Sequence, residues 1–301
     1  MRIGYFGGIV NEGTIDQVVA EARQVEADGY ASYWVPQIFG WDTMIVLAIV
    51  GREVPRIELG TSVIPTYPRH PMMLAQQTRT VQAASGGRFC LGIGLSHKIV
   101  IESMMGLSFE KPVRHLREYL SVLMPLIQSG SVSFVGETYT THAGLSITEG
   151  GGSQVVVAAL GEQMLKVTAR LADGTLTWCT GPATLQSHII PTITAAAAEA
   201  GRPAPRVIAA LPVCVTDNPA DALVQASSVF AIYGQLPSYR AMLDREGAAG
   251  PADIAIVGSE SEVRDRIAHL ADIGVTDFAA VIFSTNRDEN ERTRSVLRDF
   301  V

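Results

Sequence analysis

Few side chains in this sequence suit the movement of a proton or the holding of a flat organic group, and they recur just after apolar runs. His97 carries an imidazole, the one side chain whose ordinary titration falls near neutral pH. Gln37 can hydrogen-bond an oxygen but cannot exchange a proton near neutrality. Trp41, Phe39 and Trp178 offer apolar walls against which an organic molecule could stack. Gly7, then Ser62, Val63 and Ile64, then Leu160, Gly161, Glu162 and Gln163 occupy the corresponding points of other segments. A lone histidine is also an ordinary structural hydrogen-bonding group, and a tryptophan an ordinary core filler. The weight of these residues therefore depends on the elements that carry them.

The most constrained element runs from Gly60 to Pro71. An apolar strand over 57–64 passes into a loop in which Pro65, Pro68 and Pro71 each fix one backbone dihedral and bias the preceding residue toward extended conformations. Pro71 suits the first turn of a helix over 71–84, which Ser85-Gly86-Gly87 breaks. The same strand-then-helix rhythm fills the rest of the chain. Strands are expected over 2–8, 30–36, 57–64, 88–95, 154–160, 174–179, 207–215 and 278–283. Helices over 14–28, 42–52, 71–84, 113–128, 162–172, 183–200, 221–233 and 288–300 follow them in turn. Eight such units at this length predict an α/β fold, a (β/α)8 TIM barrel forming a single domain over 1–301. Insertions are expected near 96–112, 130–152 and 236–252, the second a small hairpin or lid. A doubly wound sheet is the competing architecture, but no Gly-x-Gly-x-x-Gly follows the first strand. In a barrel, chemistry gathers at the carboxyl ends of the strands, which is where the residues above fall.

Of the 301 residues, 47% are hydrophobic and 18% charged, enough apolar material for a large core and too little charge for disorder. A formal net charge of -7 argues against a nucleic-acid partner or an anionic membrane surface, both of which need a basic face. Small molecules, or a second copy of the chain, are the expected partners. Cys90, Cys179 and Cys214 are odd in number, widely spaced and set in apolar runs, which predicts reduced buried thiols rather than a disulfide frame or a metal site. No apolar run reaches the length of a membrane helix, and a cytoplasmic protein is expected.

Four pieces of the sequence, in order, resemble the bacterial luciferase-like flavin and deazaflavin oxidoreductases, and more closely the branch that uses coenzyme F420. They are Gly60-Thr61-Ser62-Val63 with Tyr67-Pro68-Arg69-His70-Pro71, then Ser85-Gly86-Gly87-Arg88-Phe89-Cys90-Leu91-Gly92-Ile93-Gly94, then Leu116-Arg117-Glu118-Tyr119, then Ile256-Val257-Gly258-Ser259. The resemblance implies a luciferase-like barrel with a bulged third strand and a cis peptide at Ser62-Val63, behind the coenzyme's ring. It implies that the backbone at Ala159, Leu160, Gly161, Glu162 and Gln163 cradles the coenzyme's phosphate, where free N–H groups and the helix dipole attract an anion. The coenzyme-binding set is completed by Gly7, Ser62, Val63, Ile64 and Trp178. The catalytic set it points to is His97, Gln37 and Trp41. This sequence departs from the alcohol and sugar-phosphate dehydrogenases of that branch at two points: Pro36-Gln37 stands in place of Asp-His, and His97 in place of a Glu. Proton transfer is thereby moved to His97, while His70 is read as structural. The implied activity is hydride transfer between the deazaflavin ring and a small organic substrate, in a protein that is often a homodimer. FMN with a monooxygenase reaction is the alternative within the same fold, and a non-catalytic ligand-binding barrel is a third.

Overall fold

The computed structural model describes residues 1–284 and 286–301. Eight parallel strands, Arg2–Phe6, Ser32–Val35, Glu58–Thr61, Phe89–Gly94, Gln154–Val157, Gly174–Trp178, Arg206–Val215 and Asp277–Ile282, each pair with the next. The eighth returns to pair with the first, with Arg2 opposite Asp277. The barrel is closed, as the alternation of strands and helices predicts, and they are called strands one to eight below.

Local chemistry places most of the helices. Thr14 caps Ile15–Ala27 through a reciprocal pair with Gln17, and Gly29 follows at φ 90°. Asp42 caps Thr43–Glu53 by accepting from the Met44 and Ile45 N–H groups. His70 caps Pro71–Ala84 through Nδ1, which accepts from Met72 N at 3.2 Å. The hairpin of the second insertion pairs Ser131–Val135 with Thr140–Gly144.

Two helical expectations are corrected. The helix foreseen over 183–200 is interrupted by a π-turn at Leu185–Ile189. The one foreseen over 221–233 stops at Val229 and continues as a 3-10 turn over Ala231–Gln235, because the chain turns there to bring Phe230 and Tyr233 against Trp178 at 5.5 and 5.4 Å. Strand five ends at Val157, short of the expected 160.

Inside the barrel, Trp34, Cys90, Val156, Leu176, Ile208, Ala210 and Ala279 form one cluster, distinct from the larger core between strands and helices. Trp34 dictates its neighbours: a Cβ at Gly60 would meet the indole at 2.2 Å, and one at Gly4 would meet it at 3.1 Å. At the amino end the barrel is plugged by charge. The Arg206 guanidinium reaches Asp277 at 2.7 Å, Glu58 at 3.0 Å and Gln154 at 2.8 Å. All three cysteines are buried and free.

Candidate functional site

At the carboxyl end, the inner cluster is closed by a layer of partly buried side chains, Phe6, Val63, Trp178 and Val281, from strands one, three, six and eight. Phe6 and Trp178 stack with centroids 6.3 Å apart. Val63 and Trp178 are among the residues singled out from the sequence, and the structure brings them into one layer. Phe6 and Val281 were missed. The available signal was that each lies at or next to the last residue of its strand.

Val63 owes its place to a bulge. Strand three pairs with strand four at Gly60–Cys90 and resumes at Ile64–Ile93, so four steps on strand three match three on strand four. The Ser62-Val63 peptide within the bulge is cis, in line with the resemblance. Where the ladder is interrupted, the buried Thr61 hydroxyl substitutes for it, donating to Gly92 O at 2.7 Å and accepting from Gly92 N at 2.8 Å. The Gly92-x-Gly94 spacing makes room: a Cβ at Gly92 would meet Thr61 O at 1.9 Å, and one at Gly94 would meet Val63 Cγ2 at 2.6 Å and Ala158 Cβ at 3.3 Å. Ile64 is fully buried, behind the layer.

Strained backbone marks the same end of the barrel. Among the described residues, only Ser96, Lys111 and Cys179 are non-glycine residues with positive φ, at 61°, 52° and 51°. Ser96 follows strand four and precedes His97; Cys179 follows strand six and Trp178. Each is succeeded by a π-turn, at Ile99–Met104 and Leu185–Ile189. Such features collect where a surrounding structure holds residues in place for a purpose.

His97 is half-buried with its ring 5.4 Å from that of Tyr239, and burial pushes its imidazole below its ordinary value. At neutral pH it is uncharged, able to accept a hydrogen bond at one ring nitrogen and donate at the other. Gln37 is half committed: its Oε1 accepts from Thr43 N at 2.9 Å, so only its amide NH2 remains to meet an oxygen. Trp41 is pinned through Nε1 to Gly13 O at 2.7 Å, which presents the face of its ring rather than its N–H. Trp178 Nε1 is buried without a partner among the described residues. Gly7 has a packing reason of its own, since a Cβ there would strike the Tyr33 hydroxyl at 2.4 Å and its ring at 2.5 Å.

After strand five, the buried Thr175 hydroxyl donates to Val157 O at 2.9 Å and Ala159 O at 3.1 Å, and His188 Nε2 meets Leu160 O at 2.8 Å. This fixes the path into Glu162–Leu171, which begins at Gly161 with no side-chain cap. The first N–H groups of that helix therefore face outward at an exposed turn. The Glu162 side chain turns to Lys166, which holds its carboxyl below the ordinary range. Tyr233 and Tyr239, absent from the sequence-derived set, extend the aromatic layer from Trp178 to His97, their centroids 5.6 Å apart. Two cavities lie elsewhere. One of about 390 Å³ sits beside Leu223, Val224 and Arg266, and one of about 360 Å³ beside Arg2, Glu58 and Arg88 at the amino end.

A family model described as luciferase-like monooxygenase matches residues 1–277. The 5,10-methylenetetrahydromethanopterin reductase of Archaeoglobus fulgidus is 28% identical over 155 residues, 51% of this chain and 46% of that protein, so the match spans under half of that relative. The enzyme of the same name from Methanolobus tindarius is 24% identical over 86% of this chain and 88% of its own length. Among solved structures, the coenzyme F420-dependent tetrahydromethanopterin reductase of Methanopyrus kandleri superposes with a TM-score of 0.82 at 22% identity, covering 99% of this chain and 98% of the other. A type II Baeyer-Villiger monooxygenase component from Pseudomonas putida, in complex with FMN, superposes at 0.77 with 16% identity, covering 99% and 96%.

Proposed function

The chain belongs to the luciferase-like monooxygenase family, and from that premise we propose that it is a coenzyme F420-dependent oxidoreductase acting on a small organic substrate. The observation that carries this reading is the apolar layer of Phe6, Val63, Trp178 and Val281, with Val63 seated on Gly94. A flat tricyclic ring fits a support of this kind: it is apolar, and the glycine behind Val63 leaves no slack in the wall. The dependence on coenzyme F420 stated for the Methanopyrus reductase supports the choice of deazaflavin.

When bound, the coenzyme supplies or accepts the hydride. The protein's own residues do the rest. Ser62 and Val63 would back the ring, with Ile64 buried behind them in the core between strands and helices, and Trp178 and Gly7 would lie at the edges of the same end of the barrel. Leu160, Gly161, Glu162 and Gln163 offer backbone N–H groups to a phosphate, the Glu162 carboxylate being drawn away by Lys166; the expected Ala159 is excluded, because it is fully buried and its N–H is spent on Val157 O at 2.8 Å. His97, neutral at physiological pH, takes or gives the proton that accompanies reduction or oxidation of the substrate. The Gln37 amide donates to the substrate oxygen, and the Trp41 face limits access of water. A second reading, FMN in place of F420, is favoured by the FMN-bound neighbour of the same fold.

Side-by-side titration of the purified protein with F420 and FMN tests both. Micromolar or tighter binding of F420 with weaker binding of FMN is expected; the reverse order selects the FMN reading, and no F420 affinity tighter than millimolar overturns the proposal. His97→Ala is expected to lower turnover by roughly 10²-fold or more while leaving coenzyme affinity in place. Full activity in that variant would remove His97 from the proton path. We also propose that the chain pairs with a second copy through Thr43–Glu53, whose outer face exposes Ile45 and Ile49; sedimentation of the wild type against Ile45→Glu reads this out.

A further inference from the structure

The loops after strands two, three and four form one side of the site's mouth, and their composition is unusual for a surface. Phe39 is 71% exposed, Ile99 62% and Met104 61%. Trp41 and Met105 add further exposed apolar area from the same two loops. Single exposed hydrophobic residues need no explanation, but a set contributed by successive loops around one opening does. These loops are tied together: Arg69 of the third binds Asp42 at the end of the second, and Phe109 of the fourth packs on Tyr67 of the third at 5.1 Å.

Charge gives the second observation. The three loops carry Asp42, Glu102 and Glu110 against Arg69, Lys98 and Lys111, which sum to zero. Asp42 is paired with Arg69, and Glu102 lies 3.7 Å from Lys98. The one imidazole inside the mouth, His97, is held neutral by burial. Arg69 and Lys98 are thus matched, and exposed Lys111 stands next to the carboxylate of Glu110 in the chain, so the loops present no net positive charge to favour a phosphate or a carboxylate tail, and the recognition surface is apolar without a cationic cluster.

We infer that the substrate taken at this mouth is a neutral, largely apolar molecule, its body lying on Phe39 and Met104 with a single polar atom directed inward toward Gln37 and His97. Sugar phosphates and polyanionic carriers are disfavoured. The inference rests on the proposed function only in taking the carboxyl ends of the strands as the site. Met104 at the end of the π-turn and Met105 just after it add tolerance, since a flexible thioether adapts to different apolar shapes. Within the neutral apolar class, discrimination by shape is therefore weak, and discrimination against charge is strong.

The test is binding, read by calorimetry, of 2-acetonaphthone as a neutral apolar probe and glucose 6-phosphate as an anionic one, to the wild type, Phe39→Ser and Met104→Ser. Both side chains are mostly exposed, so the variants retain the fold. The expected result is binding of the ketone at micromolar to sub-millimolar concentration, weakened about fivefold by each substitution, with no detectable binding of the sugar phosphate. F420 is titrated into the same three proteins. Failure of that titration alone refutes the coenzyme assignment and leaves the substrate class standing. Normal F420 binding with no ketone binding, or preference for the sugar phosphate, overturns the inference. So does a change in oligomeric state in Phe39→Ser with unaltered ketone affinity, because the patch would then be covered by a second copy.

Discussion

Gly94→Ala probes the wall of the site from behind. The added Cβ would lie 2.6 Å from Val63 Cγ2 and 3.3 Å from Ala158 Cβ. Carbon atoms in ordinary contact sit about 3.5–4.0 Å apart, so the first approach is short by about 1 Å. Val63 has to leave its rotamer, or strands three and four have to separate. Overpacking of this kind costs about 1–3 kcal/mol. At about 2.1 cal/mol/K of unfolding entropy per residue, a chain of 301 residues loses about 3 °C in Tm for 2 kcal/mol. Thermal and urea unfolding measure this directly. The specific claim is that the cost is a clash with one side chain, so Val63→Ala should relieve it. In the double variant the two effects should fall short of their sum by about 1 kcal/mol or more. F420 affinity should drop in Gly94→Ala, because the support moves. Strict additivity of the two substitutions, or an unchanged Tm in Gly94→Ala, would refute the account of why Gly-x-Gly stands here.

Other consequences follow from single contacts. Thr61→Val keeps the volume but leaves the Gly92 N–H and C=O unpaired in the interior, at a cost of about 2 kcal/mol measured by urea unfolding. Arg206→Met leaves Asp277 and Glu58 with Arg2 as their remaining cation and should cost about 3 kcal/mol, the low end for breaking a buried pair, while F420 affinity is unchanged because the plug lies at the opposite end from the proposed coenzyme site; a large affinity loss would contradict that separation. His115 is buried against Tyr67, with Nε2 2.9 Å from the Thr66 hydroxyl, and burial lowers its pKa from 6.5 to about 4, opposed by the nearby Glu118 carboxylate. Below about pH 6.5 the unfolded chain takes up a proton that the folded chain refuses, so stability is lost as pH falls from 6.5 toward 4, by up to about 3 kcal/mol. Urea midpoints at pH 7 and pH 4.5 should therefore differ more in the wild type than in His115→Gln.

The parts legible in the sequence are those set by residues within a few positions of one another. Proline at the first turn, a capping Thr14, Asp42 or His70, and the Ser85-Gly86-Gly87 break act on their own segment, and Pro71–Ala84 ends where those signals say. Eight repeats of strand and helix then leave little choice but a closed barrel. Residues at the strand ends follow from that alone, which is why Val63, His97 and Trp178 could be named in advance.

What the chain order could not reveal depends on contacts across the barrel. Trp34 fills the interior because glycines 30 and 26 positions away, Gly4 and Gly60, have no side chain there. Arg206 meets Glu58 across 148 residues. Gln37 reads in isolation as a free amide, yet its oxygen is spent on Thr43, and Trp41 spends its N–H on Gly13. Phe6, Val281, Tyr233 and Tyr239 acquire meaning only when strands one and eight and the last insertion arrive at the same opening. Local preferences decide which element forms; closure decides which atoms are left with nothing to bind except a ligand, since each hydrogen bond or contact made across the barrel removes a group from that set.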